Sequence, residues 1–163
     1  MSQRTQSAII IALVTILDRL TKMWIVSSVD SVTMIPVIPG IFNIVHAENP
    51  GAAFSMLADA PEAWRKIVLV GISMVVMGFV LALLWRPLES KLMRISLPMV
   101  FGGALGNLID RIFRGTVTDF VQVFLGSYEY PSFNIADSAI FIGAGLLVLD
   151  LIRSGKSPTT ASS

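Results

Sequence analysis

Four stretches of this chain are apolar over a length that suits a membrane-crossing helix: residues 7–26, 66–85, 94–113 and 135–152. A hydrocarbon core about 30 Å thick takes about 20 residues at the α-helical rise. The runs 67–85 and 95–109 carry no charged residue at all. Between the first two stretches the pattern changes. In Ile41-Phe42-Asn43-Ile44-Val45-His46, the residues Phe42, Ile44 and His46 alternate with Ile41, Asn43 and Val45, a period of two that predicts a β element. Pro36, Pro39 and Gly40 punctuate its start, and Asp59-Ala60-Pro61-Glu62 reads as the cap and first turn of a short surface helix near Trp64. The fold class expected is a membrane all-α protein: four transmembrane helices, a small β element outside the membrane and a short surface helix. Residues 1–156 form one membrane domain in this reading, and residues 157–163, rich in Ser and Thr, form a disordered tail.

Basic residues orient the spans. Arg86, Lys91 and Arg94 crowd the link between spans two and three, Arg4 precedes span one, and Arg153 and Lys156 follow span four. The positive-inside rule puts these segments, and hence both termini, in the cytoplasm. Segments 27–65 and 114–134 then face the other side. A cleaved signal peptide is the competing reading of the first stretch, because Arg4 precedes the apolar run and Ser27 and Ser28 follow it. Against it, Asp18, Arg19 and Lys22 interrupt the run where a signal sequence stays apolar.

Composition sharpens this. Of 163 residues, 54% are hydrophobic and 14% charged, against about 45–50% and about 25% in soluble domains. The net charge of +1 and the scattered basic residues give no nucleic-acid face. With no cysteine and one histidine, His46, the chain lacks thiolate nucleophiles, disulfides and the ligands of a thiolate or two-histidine metal site. No metal and no cofactor are expected, which leaves carboxylate chemistry, a Ser/Lys pair, or no chemistry.

Ionisable groups at membrane depth cost about 2.5–3.5 kcal/mol each on insertion scales, so each needs a partner or a purpose. Asp18 and Lys22, four residues apart, share a helix face. They read either as a structural ion pair or as groups that shape a polar site. Gly102 and Gly106 in span three permit close helix approach, with Gly103 beside them. Asn107, Asp110 and Arg111 follow at i, i+3 and i+4 on one face. Asp119 lies just beyond, in Gly115-Thr116-Val117-Thr118-Asp119, where β-branched residues favour an extended or irregular path. Asn134 fits the N-cap of span four and Asp137 its N3 position, beside the positive end of the helix dipole. Asp119 and Asp137 thus flank one loop at the outer boundary. Two carboxylates that meet in a poorly hydrated site share a proton, the arrangement with which an aspartic peptidase activates water.

Four ordered blocks carry a resemblance. Asn49-Pro50-Gly51-Ala52-Ala53-Phe54-Ser55, Gly102-Gly103-Ala104-Leu105-Gly106-Asn107-Leu108-Ile109-Asp110-Arg111, Val117-Thr118-Asp119-Phe120 and Phe133-Asn134-Ile135-Ala136-Asp137-Ser138 closely resemble the bacterial lipoprotein signal peptidases (signal peptidase II), over a similarity that runs from Asp18 to the end of span four. The resemblance implies a multi-pass inner-membrane aspartyl endopeptidase with four spans and an extracytoplasmic β-cradle, its active site near the extracytoplasmic face. Its implied substrates are prolipoproteins carrying diacylglyceryl-cysteine, cut on the N-terminal side of the lipidated cysteine, and its implied inhibitors are of the globomycin type. Membrane lipids are its other partners, nucleic acid is not one, and a monomer is expected. The family's catalytic aspartates fall on Asp119 and Asp137, and its other recurrent polar positions on Asp18, Lys22, Asn49, Gly51, Asn107, Asp110, Arg111 and Asn134, read as substrate-binding or site-supporting. The choice of Asp119 and Asp137 over Asp18 and Asp110 comes from this resemblance. Two departures stand out. Arg19 follows Asp18 where glutamine is more usual, which weakens a role for that region, and Pro50 stiffens the loop after Asn49.

Three rivals come from other classes. A proton-coupled transporter would spread polar residues through the bilayer depth, but here they gather at the outer boundary. A Ser/Lys peptidase would use Lys22 with Ser27 or Ser28, but Asp18 one turn away favours the charged lysine. A structural scaffold explains the glycines and leaves the aspartates without a role.

Overall fold

The structure, a computed structural model, describes residues 1–51 and 61–154. Asp59 as a helix cap, the Ala52 to Ser55 part of the first matched block, and the tail fall outside these residues. In chain order the elements are α1 (Gln3–Ser28), β1 (Ile35–Ile38), β2 (Phe42–Asn49), α2 (Glu62–Leu84), α3 (Met93–Phe113), β3 (Val117–Leu125), β4 (Tyr128–Phe133) and α4 (Ile135–Ser154). Each helix covers one of the expected apolar stretches to within a few residues. Two of them, α2 and α4, are long and apolar enough to cross a membrane.

The bundle is built around α3, which packs against α1, α2 and α4. Missing side chains make this possible. A Cβ on Gly103 would collide with the Ala136 carbonyl oxygen of α4, and one on Gly106 would lie 2.6 Å from Asp18 Oδ2 of α1. Gly143 repeats the device from α4, where a Cβ would come 2.9 Å from the Ser96 carbonyl oxygen. Small residues of this kind let helix backbones approach where lipid supplies no hydrophobic drive for association.

The bundle is apolar outside and polar within. Leu13, Ile16, Leu17, Leu20, Met23 and Trp24 of α1 are exposed, while Asp18 and Lys22 of the same helix are buried. The outer faces of α2 and α4, with Ile72, Val75, Phe79, Phe141, Val148 and Leu151, are likewise apolar and exposed. A water-soluble protein sorts its residues the other way.

All four strands form one antiparallel sheet in the order β1-β2-β3-β4. The β2–β3 register pairs Ala47 with Asp119 and Asn49 with Val117. Gly126, at φ 66°, opens the tight β3–β4 turn in a left-handed conformation that a side chain disfavours. Two expectations need correction. The segment 114–134, read as a loop with an extended or irregular stretch at Asp119, supplies two strands, so the sheet is larger than an all-α description allows. Near Trp64 the described residues hold no separate surface helix: Glu62, Ala63 and Trp64 form the first turn of α2, continuous to Leu84 and preceded by Pro61, which suits an N-terminal boundary because its missing N–H is not needed there.

Two ends of the bundle are distinct. At one, the Gln3 side chain of α1 bonds the α2–α3 link, and Ser90 of that link donates to Asp150 near the end of α4. At the other, α1 meets the sheet through His46, whose Nδ1 lies 2.9 Å from the Val29 carbonyl oxygen. The glycine contacts give a test. Gly103→Ala is expected to lower the thermal midpoint in detergent by the equivalent of about 1–3 kcal/mol of overpacking. Gly78→Ala, with nothing within 4 Å of the added atom, is expected to leave it unchanged or raise it. Equal midpoints for the two variants would contradict the packing account.

Candidate functional site

The polar interior begins with a buried ion cluster. Lys22 Nζ lies 2.8 Å from Asp18 Oδ2, 2.8 Å from Asp110 Oδ2 and 2.9 Å from Asn107 Oδ1. An ammonium has three donors, and three oxygens surround it here. Asp18, Lys22 and Asp110 are all essentially inaccessible. Among the described residues the two Oδ2 atoms have this ammonium as their only partner. Their other oxygens are held separately: Asp18 Oδ1 accepts the Ala136 N–H of α4 at 3.0 Å, and Asp110 Oδ1 pairs with Arg19. One cluster therefore ties α1, α3 and the start of α4 together.

Asn107 carries the network outward. Its Oδ1 accepts from Lys22, and its Nδ2 donates to Asp137 Oδ1 at 2.8 Å. Asp137 stands at the start of α4 in a reciprocal cap. Its N–H donates to Asn134 Oδ1 at 2.9 Å, and its Oδ2 accepts the Asn134 N–H at 3.3 Å. This is the capping-box geometry, with Asp in place of the usual Glu. Asn134 Nδ2 then donates to Asp119 Oδ1 at 2.6 Å. Asn134 thus links the two acidic residues, its side chain holding the Asp119 carboxylate and the Asp137 N–H while its own backbone N–H holds the Asp137 carboxylate.

Asp119 is held from both sides, because Asn49 Nδ2 on the adjacent strand donates to its Oδ2 at 3.0 Å. Asn49 Oδ1 accepts the Gly51 N–H at 2.9 Å, which folds the chain back after β2. The Asp119 side of the site is nearly dry. Its carboxyl is raised from 3.8 to about 7: burial pushes it up most, the Asn49 bond pulls it back, the neighbouring charge of Asp137 raises it, and the Asn134 bond and Lys22 oppose the rise. Arg111 Nη2 donates to the Gly51 carbonyl oxygen at 3.3 Å, and its guanidinium is within electrostatic reach of Asp137, Asp119 and Asp110.

All ten positions singled out in the sequence join one connected network: Asp18, Lys22, Asn49, Gly51, Asn107, Asp110, Arg111, Asp119, Asn134 and Asp137. Of the two readings of Asp18 and Lys22, ion pair or site-shaping group, the geometry joins both, since Lys22 pairs with Asp18 and also fixes Asn107. Arg19, the departure noted after Asp18, pairs with Asp110 and so joins this cluster. Sequence reasoning passed over a second set beside the site. Glu48 of β2 accepts from Arg114 at 2.8 Å, from Thr118 at 3.0 Å and from Thr116 at 2.5 Å, and lies 3.1 Å from His46 Nε2. Burial alone would raise the Glu48 carboxyl; the bonds from Thr116 and His46, the Arg114 charge and the Thr118 bond outweigh it and hold the group below its ordinary range. These residues clamp β2 to β3 beside Asn49 and Asp119, and the only sequence signal for them was the β-branched run itself.

Known proteins resemble this chain in sequence and in fold. The family model described as "Signal peptidase (SPase) II" matches residues 10–153. The chain belongs to the signal peptidase II family. It is 44% identical over 145 residues to the lipoprotein signal peptidase of Syntrophus aciditrophicus, a match that covers 88% of this chain and 90% of the relative. With that of Solibacter usitatus the identity is 40% over 154 residues, covering 93% of each. Two solved structures of bacterial membrane enzymes superpose on it. The first has a TM-score of 0.85 at 28% identity, over 96% of this chain and 93% of the other. The second has a TM-score of 0.79 at 31% identity, over 89% and 91%. Membership of the signal peptidase II family makes the chain a peptidase and a membrane enzyme.

The raised Asp119 predicts an effect on stability. In the folded chain Asp119 keeps its proton up to about pH 7, whereas unfolded it loses the proton near its ordinary value of about 3.9. Between these values the folded state binds more protons, so stability falls as pH rises from about 4 to about 7. Thermal midpoints in detergent across this range are expected to fall less steeply for Asp119→Asn than for the unaltered chain. Parallel slopes would contradict the assignment.

Proposed function

We propose that this member of the signal peptidase II family is an aspartyl endopeptidase that removes the signal peptide from diacylglyceryl-modified prolipoproteins, cutting on the N-terminal side of the lipidated cysteine. The substrate class rests on family membership and on relatives bearing the name lipoprotein signal peptidase. The observation that carries the chemistry is the Asn134 bridge between Asp119 and Asp137, with Asp119 held near 7 by burial.

In this mechanism water sits between the two carboxyl groups. Asp137 takes a proton from the water as its oxygen adds to the carbonyl carbon preceding the lipidated cysteine. Protonated Asp119 donates to the carbonyl oxygen, which gives a neutral gem-diol. Asp119 then recovers a proton from that diol while Asp137 gives its proton to the leaving amide nitrogen, and the C–N bond breaks. Both carboxyls return to their starting states with no covalent intermediate. Arg111 and the amides of Asn49, Asn107 and Asn134 keep the acids and the substrate backbone in register. The apolar groove of about 210 Å³ between α2 and α3, lined by Met74, Met77, Gly78, Leu81, Phe101 and Leu108, is assigned to the substrate's acyl chains for its apolar lining.

The setting proposed is a bacterial inner membrane crossed four times, with both termini cytoplasmic and the site near the extracytoplasmic face. α1 and α3 join α2 and α4 as spans. The reading of α1 is supported by its exposed apolar face and by the enclosure of Asp18 and Lys22 within the bundle. The orientation is supported by the gathering of Arg4, Arg86, Lys91, Arg94 and Arg153 toward the end opposite the sheet. Globomycin-type inhibition, a monomeric state and a single domain complete the proposal.

The test uses purified chain and a diacylglyceryl-modified prolipoprotein. Asp119→Asn and Asp137→Asn are each expected to reduce turnover by about 10²–10⁴-fold, the usual share of a general acid or base, while remaining folded. Turnover at near the unaltered rate by either folded variant would sink the assignment. Asp110→Asn, which weakens the ion cluster, is expected to lower the thermal midpoint and keep measurable turnover. Since Asp119 must hold its proton, kcat/KM is expected to fall as pH rises through about 7.

A further inference from the structure

The end of the bundle opposite the sheet carries a groove that the peptidase chemistry does not use. It measures about 290 Å³ and is lined by Ser2, Gln3, Arg4, Trp85, Arg86 and Pro87. Two of these six residues are arginines and none is acidic. The first turn of α1 is also free of acidic residues, and the N–H groups of Gln3 and Arg4 precede the first intrahelical bond of that helix. The groove is therefore positive from its side chains, while the free N–H groups of α1 are offset by the terminal carbonyls of α2.

Its walls are fixed. Gln3 Nε2 donates to the Arg86 carbonyl oxygen at 2.9 Å, and Gln3 Oε1 accepts the Leu88 N–H at 2.9 Å, so one side chain clamps the α2–α3 link onto α1. Arg4 lies over the Trp85 ring, 5.3 Å from its centroid, a cation–π contact that limits the wandering of a long side chain. Arg86 follows Trp85 directly at the C-terminal end of α2, one of the two helices apolar enough to cross a membrane. Trp at such a boundary marks the headgroup layer. A positive groove at that depth, beside a lipid-facing apolar helix, meets a phosphate on its polar side and acyl chains on its apolar side.

We propose that this groove is a binding site for the phosphate-bearing headgroup of an anionic phospholipid, held by Arg4, Arg86 and the first turn of α1. Its place in the cytoplasmic leaflet rests on the orientation given under Proposed function; the binding itself does not. The volume lies just below the range of ligand-sized clefts, about 300–1,000 Å³, which suits a headgroup rather than a whole lipid. Arg4 and Arg86 supply the charge, Trp85 the shelf and Gln3 the rigidity. The bound lipid pins α1 to the α2–α3 link.

The experiment titrates the full chain in neutral detergent with short-chain phosphatidylglycerol, short-chain phosphatidylcholine and inorganic phosphate. Binding is read by native mass spectrometry and by the thermal midpoint. Phosphatidylglycerol is expected to bind saturably and raise the midpoint, and phosphatidylcholine to do neither. Arg4→Gln and Arg86→Gln are each expected to weaken phosphatidylglycerol binding roughly fivefold, as befits one basic residue at an anionic surface. Lys91→Gln, an equal loss of charge outside the groove, is expected to leave binding unchanged. Equal binding of both lipids, an equal effect of Lys91→Gln, or saturation by inorganic phosphate in the same concentration range would overturn the proposal. Peptidase activity is not read, so an inactive protein that binds phosphatidylglycerol would count against the peptidase assignment alone.

Discussion

The structure depends on one buried ammonium. Lys22 brings a full positive charge into the bundle, and its three contacts reach two carboxylates and one amide on α1 and α3. Neither charge sign is tolerable alone at that depth. An uncompensated buried partner left by removing one member of such a pair costs about 3–5 kcal/mol. The cluster thus requires α1 and α3 to sit where they do, and the bond from the Ala136 N–H to Asp18 extends the requirement to α4. The glycines at 103 and 106 leave room for this approach. Gly106 faces Asp18 itself, so any side chain there would displace a carboxylate of the cluster.

From this centre, order passes outward through amides rather than charges. Asn107 and Asn134 each use both ends of the side chain, with an oxygen turned to one donor and a nitrogen to a different acceptor. An amide used at both ends cannot rotate without breaking two bonds, so it transmits position as well as energy. The sheet completes the enclosure by bringing Asn49 against the far oxygen of Asp119. The result is a polar seam inside a shell of Leu, Ile, Val and Phe, the arrangement expected where apolar lipid rather than water surrounds the helices.

Much of this was legible in the chain. The uncharged runs 67–85 and 95–109 mark α2 and most of α3 because length and hydropathy alone fix them. Asn134 and Asp137 declare a helix start because capping is local. β2 was visible in its alternation. β3 and β4 were not, since their strand character depends on pairing with β2, about 70 residues away for Asn49 and Asp119. The ion pair of Arg19 with Asp110 joins positions 91 apart and leaves no local trace. The separate surface helix near Trp64 failed for a related reason: Pro and Glu signal a helix start, but nothing nearby signals where that helix stops. The choice of Asp119 over Asp18 and Asp110 rested on resemblance alone, and no local signal foretold that their surroundings differ: Asp18 and Asp110 face the Lys22 ammonium, while Asp119 is met chiefly by amides.

Asn134 has a consequence for how the molecule assembles. The side chain that caps α4 is the same one that holds Asp119 on β3, so the two tasks share one residue. A chain in which α4 has not started lacks the Asp137 N–H that fixes the amide oxygen, and the amide is then free to turn away from Asp119. The start of the helix and the placing of Asp119 beside Asp137 are therefore won or lost together.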